Sequence, residues 1–254
     1  MDLGKCYYAS LYKTTCPQDA ETMASILYPM SERLPSRVQK AAEEMMAREG
    51  FLGVPVATFE EAGRSQLIEL LRCGLRPESR LLDFGCGCLR IAYWLVRFLD
   101  PDCYYGIEPA RKRVEIGLRY LFTPEVLNAK RPQFDYNAVF DSSPFNVRFD
   151  FFLARSIWTH GSKRQIAATL DSFVRDSEPG ATFLTSYLPA HSDEEDYMGD
   201  QWVGTSHESD IPGVIRHRLS WIVEQCSQRN LFVEELPGYD CDSQLWLRII
   251  RRSI

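Results

Sequence analysis

Arg80-Leu-Leu-Asp-Phe-Gly-Cys-Gly-Cys-Leu-Arg90 is the stretch on which the fold turns. A short apolar run from Leu81 to Phe84 carries one carboxylate, Asp83, and breaks at Gly85 and Gly87. Ile91, Trp94, Leu95 and Phe98 follow at helical spacing. That order predicts a strand, a tight glycine turn and a helix. A side chain on either glycine would hold the backbone away from a ligand lying across the helix N-terminus. The turn therefore reads as a seat for something small and polar.

Spacing separates two ligand classes. The dinucleotide fingerprint Gly-x-Gly-x-x-Gly would need a third glycine where this chain has Arg90, a bulky cation at the point of close helix–strand packing. The other pattern starts with an acid two residues before the first glycine. Asp83-Phe84-Gly85-Cys86-Gly87 resembles motif I of the class I S-adenosylmethionine-dependent methyltransferases, with Leu89 at the position of that motif's last glycine. The next predicted strand, 103–107, ends at Glu108, which lies 25 residues after Asp83. A carboxylate there can accept hydrogen bonds from both hydroxyls of a ribose. NAD sites share the device, so Glu108 alone points to a nucleoside without choosing one.

A length of 254 residues with 45% apolar and 25% charged residues suits one soluble α/β domain with additions. A net charge of −6 opposes a phosphate backbone, and no basic block supplies the field that nucleic-acid binding needs. Arg111-Lys-Arg113 reads as a solvated helix start. The eight cysteines are scattered through predicted core elements, Cys86-x-Cys88 lacks zinc-pair spacing, and reduced thiols in a cytoplasmic protein are the expectation. The polar opening Met1-Asp-Leu-Gly-Lys-Cys6 does not read as a secretory signal. No apolar run approaches the ~20 residues that cross a bilayer. No metal is called for; His191 and His207 flank an acidic stretch but lack closely spaced partners.

Residues 1–75 read as a helical cap. Ser36-x-x-Gln39 and Thr58-x-x-Glu61 read as capping boxes opening two helices. The first turns Val38, Ala41, Ala42, Met45 and Met46 inward, and the second Leu67, Leu70 and Leu71, with stops at Gly50 and at Gly74 and Pro77. Tyr8 and Tyr12 are candidates to line a lid over the ligand, with plain helical packing as the alternative. Residues 76–254 read as the ligand-binding domain: strand 81–84, helix 89–99, strand 103–107, helix 110–121, strand 133–140, strand 149–154, a helix through Ile166, Leu170, Phe173 and Val174, and strand 181–187. This alternation predicts a doubly wound parallel sheet with ligands at the carboxyl ends of its strands. The segment 188–213 reads as an insertion loop. After a helix face of Leu219, Ile222, Val223 and Cys226, two strands at 231–235 and 244–250 share a short connection and so must be antiparallel.

The resemblance covers roughly residues 75–250, and it implies a Rossmann-like seven-stranded sheet whose last strand inserts antiparallel. It implies S-adenosylmethionine as cofactor. Residues 83–87, with Phe84 and Cys86 between Asp83 and the glycines, would lie under the methionine moiety, and Glu108 would hold the ribose. Asn137 or Asp141 would meet the adenine amine. Phe149-Asp-Phe-Phe-Leu-Ala-Arg155-Ser156-Ile-Trp158-Thr-His160 resembles the family's motif IV, beside the transferable methyl. There Arg155, next to Ser156, could bind a carboxylate of cofactor or substrate. Trp158 could flank a sulfonium, or sit in the core, and His160 could act as a base, or cap a turn. Tyr187, at the end of its strand, is a further acceptor-side candidate.

The expected function is methyl transfer to an O, N or C atom of a small molecule, of natural-product or sugar-related type. Three alternatives stay open: attack on another sulfonium carbon with release of methylthioadenosine, a non-catalytic subunit of the same fold, and an NAD oxidoreductase. The expected partner is a small-molecule substrate, with neither nucleic acid nor membrane. Oligomeric state is not written in the sequence, and a homodimer is compatible with it.

Overall fold

The computed structural model describes residues 36–50, 55–206, 209–239 and 243–251. Two helices, α1 (Arg37–Glu49) and α2 (Phe59–Arg72), precede the sheet. Then follow β1 (Leu81–Phe84), α3 (Ala92–Phe98), β2 (Tyr104–Ile107), α4 (Arg111–Leu121), α5 (Pro124–Lys130), β3 (Gln133–Asp135), β4 (Phe149–Ala154), α6 (Lys163–Asp176) and β5 (Ser177–Tyr187). The last elements are α7 (Leu219–Gln228), β6 (Leu231–Tyr239) and β7 (Leu245–Arg251). The strands form a seven-stranded sheet in the order β3-β2-β1-β4-β5-β7-β6. β1 to β5 run parallel, and β7 lies antiparallel between β5 and β6. This is the expected Rossmann-like architecture. From β1 the chain winds outward to β3, then crosses back to β4. The switch point, where such sheets bind ligands, is thus at the carboxyl ends of β1 and β4.

Both faces of the sheet's centre are covered, so β1, β2 and β4 are buried almost throughout and neighbouring residues feed opposite cores. Leu81, Tyr104, Phe151 and Leu153 pack with α1 to α4 on one face. Leu82, Phe84, Tyr105, Phe152 and Phe183 pack with α6 and α7 on the other. The second core is dense in rings: Phe152 meets Phe149 and Phe173 edge-on at 5.3 and 5.1 Å. Such pairs each add about 0.5–1.5 kcal/mol beyond the area they bury.

Local chemistry sets the boundaries. α1 begins directly after Ser36. α2 ends in a Schellman arrangement: Gly74 N–H donates to Leu71 O and Leu75 N–H to Leu70 O, both at 3.0 Å, with Leu70 and Leu75 buried together. α6 is capped by Ser162 and Gln165, whose side chains satisfy each other's backbone N–H. The expected box at Thr58 does not form, because its hydroxyl donates back to Pro55 O at 3.1 Å. Met46 and Leu71, expected inward, are exposed at the margins of their helix faces. α5 escaped the sequence reading although Pro124 at its first turn is a helix-start signal. The strand expected at 133–140 stops at Asp135, since Asn137 turns the backbone into hydrogen bonds with its own side chain. β5 begins four residues earlier than expected and passes Gly180 through an irregular register with β4. Among the described residues no helix is long and apolar enough to cross a membrane, and the five described cysteines, Cys73, Cys86, Cys88, Cys103 and Cys226, are free thiols.

Candidate active site

At the switch point lies a cavity of about 550 Å³, a size suited to a small-molecule ligand. β1 delivers Asp83 to its wall and then turns sharply. Gly85 and Cys86 both donate to Ile107 O, at 2.8 and 3.2 Å, which hooks the turn over the end of β2. Gly85 and Gly87 have φ of +68° and +54°, and a Cβ at Gly85 would overlap the Ile157 side chain. Glu108 leaves the end of β2 with 4% exposure. One of its oxygens accepts from Gly87 N–H at 3.0 Å and the other from Ala110 N–H at 2.9 Å. The acid and the glycine turn are therefore one hydrogen-bonded unit.

Asp83 is buried and accepts from the Tyr104 hydroxyl at 2.8 Å. Burial pushes its carboxyl up to about 7, against the lowering effects of that hydroxyl and of the Arg90 guanidinium. Beyond β4, Arg155 is 6% exposed with its guanidinium 5.9 Å from the Trp246 ring. Ser156 has φ +60° and is fixed by three side chains: its N–H donates to Ser186 Oγ, its hydroxyl meets Thr159 Oγ1, and Gln244 Nε2 donates to that hydroxyl at 3.0 Å.

His160 also lines the cavity. The segment after β5 folds over it. Trp202 stacks on the imidazole at 5.5 Å with 23° between the planes, and Val203 N–H donates to His160 O at 2.9 Å. Nδ1 lies 2.6 Å from Val203 O, and a carbonyl only accepts, so Nδ1 carries the proton and Nε2 the lone pair. Burial holds the ring below the ordinary imidazole range, against the raising effect of its bonds to the carbonyls of Val203 and Gly213. The neutral ring can accept a proton.

Of the residues singled out from sequence, Asp83, Gly85, Cys86, Gly87, Glu108, Arg155, Ser156 and His160 line this one cavity. Others lie elsewhere. Phe84 packs against Phe140, Phe152 and Phe183 on the far side of β1. Trp158 is wholly buried, its indole N–H donating to Thr169 Oγ1 at 3.2 Å, so the structure assigns it to the core rather than to a sulfonium. Tyr187 is likewise core, its hydroxyl donating to Glu235 at 2.7 Å. Asn137 and Asp141 brace the loop after β3, Asn137 through four side-chain hydrogen bonds with Asp135, Val139 and Asp141, and Asp141 through Ser143 and Arg175. They set Phe140, which does line the cavity. Tyr8, Tyr12 and His207 lie outside the described residues.

Sequence reasoning missed Gln66, Arg90, Arg113, Trp202 and Gln244 on the wall. Gln66 had a signal: it is the one amide on the α2 stripe formed by Phe59, Ala62, Gly63 and Leu70. It is 1% exposed, and its Nε2 has no hydrogen-bond partner among the described residues. Trp202 sits in an aperiodic loop and had none.

The strand order and the site at its switch point define the class I S-adenosylmethionine-dependent methyltransferase fold. No protein-family model matches the chain. Among solved structures it is similar to magnesium protoporphyrin IX methyltransferase (ChlM) from Synechocystis PCC 6803 with bound SAH, at 13% identity and a TM-score of 0.55, over 84% of this chain and 99% of that one. It is similar to the DhpI-SAM-HEP complex at 14% identity and a TM-score of 0.56, over 93% and 99%. The glycopeptide N-methyltransferase MtfA complexed with S-adenosyl-L-methionine matches at 13% identity and a TM-score of 0.56, over 75% and 94%.

Proposed function

We propose that the chain is an S-adenosylmethionine-dependent methyltransferase that modifies an O, N or C atom of a small acceptor, in natural-product or sugar-related biosynthesis. The observation that carries this reading is the joining of Glu108 to the glycine turn, with His160 and Arg155 on the same cavity. The residues present fit such a cofactor. A carboxylate offers about four acceptor directions, and backbone amides take two of Glu108's, which leaves two for a ribose diol. Gln66 Nε2 is a buried donor with no acceptor among the described residues, and a methionine carboxylate would supply one. Asp83 balances an amino group at the same end, and Phe140 offers a ring face to adenine.

When bound, the cofactor supplies a methyl group on a sulfonium, with a neutral leaving group. What the chain must add is alignment and exclusion of water. The loop carrying Trp202 and Gly204 screens the His160 end of the cavity. His160, neutral with its lone pair on Nε2, takes the proton of an acceptor that has one to lose. The size of the cavity and the acidic net charge support a small acceptor over a polynucleotide.

The test is titration calorimetry. The wild-type chain should bind S-adenosylmethionine and S-adenosylhomocysteine, and Glu108→Ala should weaken both about tenfold or more by removing two charge-assisted hydrogen bonds. Unchanged affinity in that variant sinks the reading. With an active acceptor, release of S-adenosylhomocysteine rather than methylthioadenosine identifies methyl transfer.

A further inference from the structure

Ser156 follows β4, Ser186 lies near the end of β5 and Gln244 immediately precedes β7. Their hydrogen bonds form a closed ring. Ser156 N–H donates to Ser186 Oγ at 2.9 Å, Ser186 Oγ donates to Gln244 Oε1 at 2.7 Å, and Gln244 Nε2 donates to Ser156 Oγ at 3.0 Å. Thr159 Oγ1 lies 3.1 Å from the same Ser156 oxygen. Ser156 adopts φ +60°, a conformation that costs a serine free energy and persists only where its neighbours impose it. Three side chains are committed to this one partly exposed serine.

Buried hydroxyl protons need acceptors, and that requirement fixes the direction of every bond in the ring. Ser186 is wholly buried, and Gln244 Oε1 is the one acceptor for its hydroxyl proton among the described residues. The amide orientation follows, because the reverse one would donate to Ser186 and strand that proton. Thr159 is wholly buried too, and the Ser156 oxygen is its hydroxyl's one acceptor among the described residues. Thr159 therefore donates, and Ser156 Oγ accepts twice. With Cβ and two incoming hydrogens around a tetrahedral oxygen, one direction is left for the hydroxyl's own proton. Ser156 and Gln244 both line the cavity, so a ligand there can receive it. A hydroxyl that accepts two hydrogen bonds is also polarised into a stronger donor.

We propose that Ser156 donates a hydrogen bond to a carbonyl-type oxygen of the acceptor, and that Gln244 and Thr159 are positioning residues that turn its proton toward the cavity. This rests on the methyltransferase reading of the same cavity. In that reading the cofactor's ribose, carboxylate and amino group fall to Glu108, Gln66 and Asp83, which leaves Ser156 to the acceptor. The turn that holds Ser156 also carries His160: the N–H groups of His160 and Gly161 both donate to Ile157 O, at 3.0 and 2.8 Å. One turn thus presents a hydrogen-bond donor and a proton-accepting imidazole. Ile157, Leu188, Trp202, Pro212 and Val214 add apolar surface to the same cavity. The substrate class that fits is an apolar or aromatic body bearing a ketone, amide or carboxylate oxygen. A site built to meet such an oxygen rejects an analogue without it, because the donor is then left unpaired.

The probes are acetophenone and α-methylstyrene, which share a shape but differ by a carbonyl oxygen in place of a methylene. Each is titrated into protein saturated with S-adenosylhomocysteine and followed by NMR. A cavity with no donor prefers the more apolar α-methylstyrene. The wild-type chain should instead bind acetophenone about fivefold or more tightly. Ser156→Gly suits the left-handed backbone and removes the hydroxyl. It should abolish that preference while leaving α-methylstyrene and S-adenosylhomocysteine affinities within about twofold. Gln244→Glu keeps the side chain's size but replaces the donating amide by a carboxylate that accepts, so the Ser156 proton turns away from the cavity. It should abolish the preference with the serine still present, and it carries the test if Ser156→Gly does not fold. A merely structural ring would change stability in both variants and leave the ratio of the two probes unmoved.

Three results would overturn the assignment: the wild-type chain does not prefer acetophenone, the variants keep the wild-type ratio, or Ser156→Gly weakens S-adenosylhomocysteine and spares acetophenone. The third would give the hydroxyl to the cofactor. Failure of the wild-type chain to bind S-adenosylhomocysteine would remove the methyltransferase reading and this inference together. Normal S-adenosylhomocysteine binding without a preference for acetophenone removes this inference alone.

Discussion

A carboxyl buried at the end of β1 gives the site a pH response of its own. Burial raises Asp83 from the ordinary 3.8 to about 7. The folded chain therefore holds this proton more tightly than the unfolded chain does. The stabilisation that this gives is complete below about pH 4 and is lost as pH rises through about 7. Asp83→Asn keeps an acceptor for the Tyr104 hydroxyl and cannot ionise. Chemical denaturation should show the variant gaining on the wild type by on the order of 2 kcal/mol between pH 5 and pH 8. A constant difference across that range would mean that Asp83 is ionised throughout. Asp83 and Glu108 were readable from sequence because each is a charged residue at a strand end, at a separation a nucleoside demands. Trp158 was not. An indole in an apolar stretch has the same sequence context whether it faces a ligand or, as here, meets Phe183 edge-on at 5.8 Å in the core.

At the scale of elements, the motif's missing last glycine has its answer in a helix. Leu89, in that position, adopts φ +62°, the left-handed conformation that glycine enters without cost. Its side chain is fully buried, which offsets the strain. Close approach to the turn is provided from α4 instead: a Cβ on Gly117 would lie 2.6 Å from Cys88 O and 2.8 Å from Cys88 C. Backbone atoms cannot step aside as a side-chain tip can. Gly117→Ala should destabilise the chain by about 1–3 kcal/mol in denaturant. It should also weaken S-adenosylhomocysteine, because the shifted turn is the one tied to Glu108. A variant of wild-type stability would show that α4 can slide. The β–α alternation could be read because its periods are long and regular, and β1 and β4 fall where expected. The end of β3 could not be read, because Phe134 to Phe140 alternates like a strand and the outcome rests on Asn137 bonding its own loop.

In the whole molecule, the segment from Leu188 to His217 is bound to the body of the domain at several points. Ile215 N–H donates to Thr159 O at 2.8 Å, and His217 Nε2 donates to Gly161 O at 3.0 Å. The charged anchor is Asp196, which meets Lys163 at 2.6 Å and accepts from Arg218 N–H at 3.1 Å. Asp196 is 9% exposed and Lys163 19%, so breaking the pair strands a partly buried cation. Asp196→Ala should loosen this wall by on the order of 2 kcal/mol, and limited proteolysis should then cut within 190–215 well before the rest of the domain. Cleavage at the wild-type rate would show that the backbone bonds alone hold it. None of this was visible in the sequence beyond the presence of a loop, since its contacts join residues 22 to 56 positions apart through no repeating pattern. The position of β7 has a consequence for how the protein is made. The strand that enters between β5 and β6 is later in the chain than both, and it brings Trp246 to Arg155 and follows Gln244, which bonds Ser156. During synthesis, β5 and β6 wait with unsatisfied edges until this segment follows them out of the ribosome, so the sheet can be sealed and its pocket finished only after β7 has emerged.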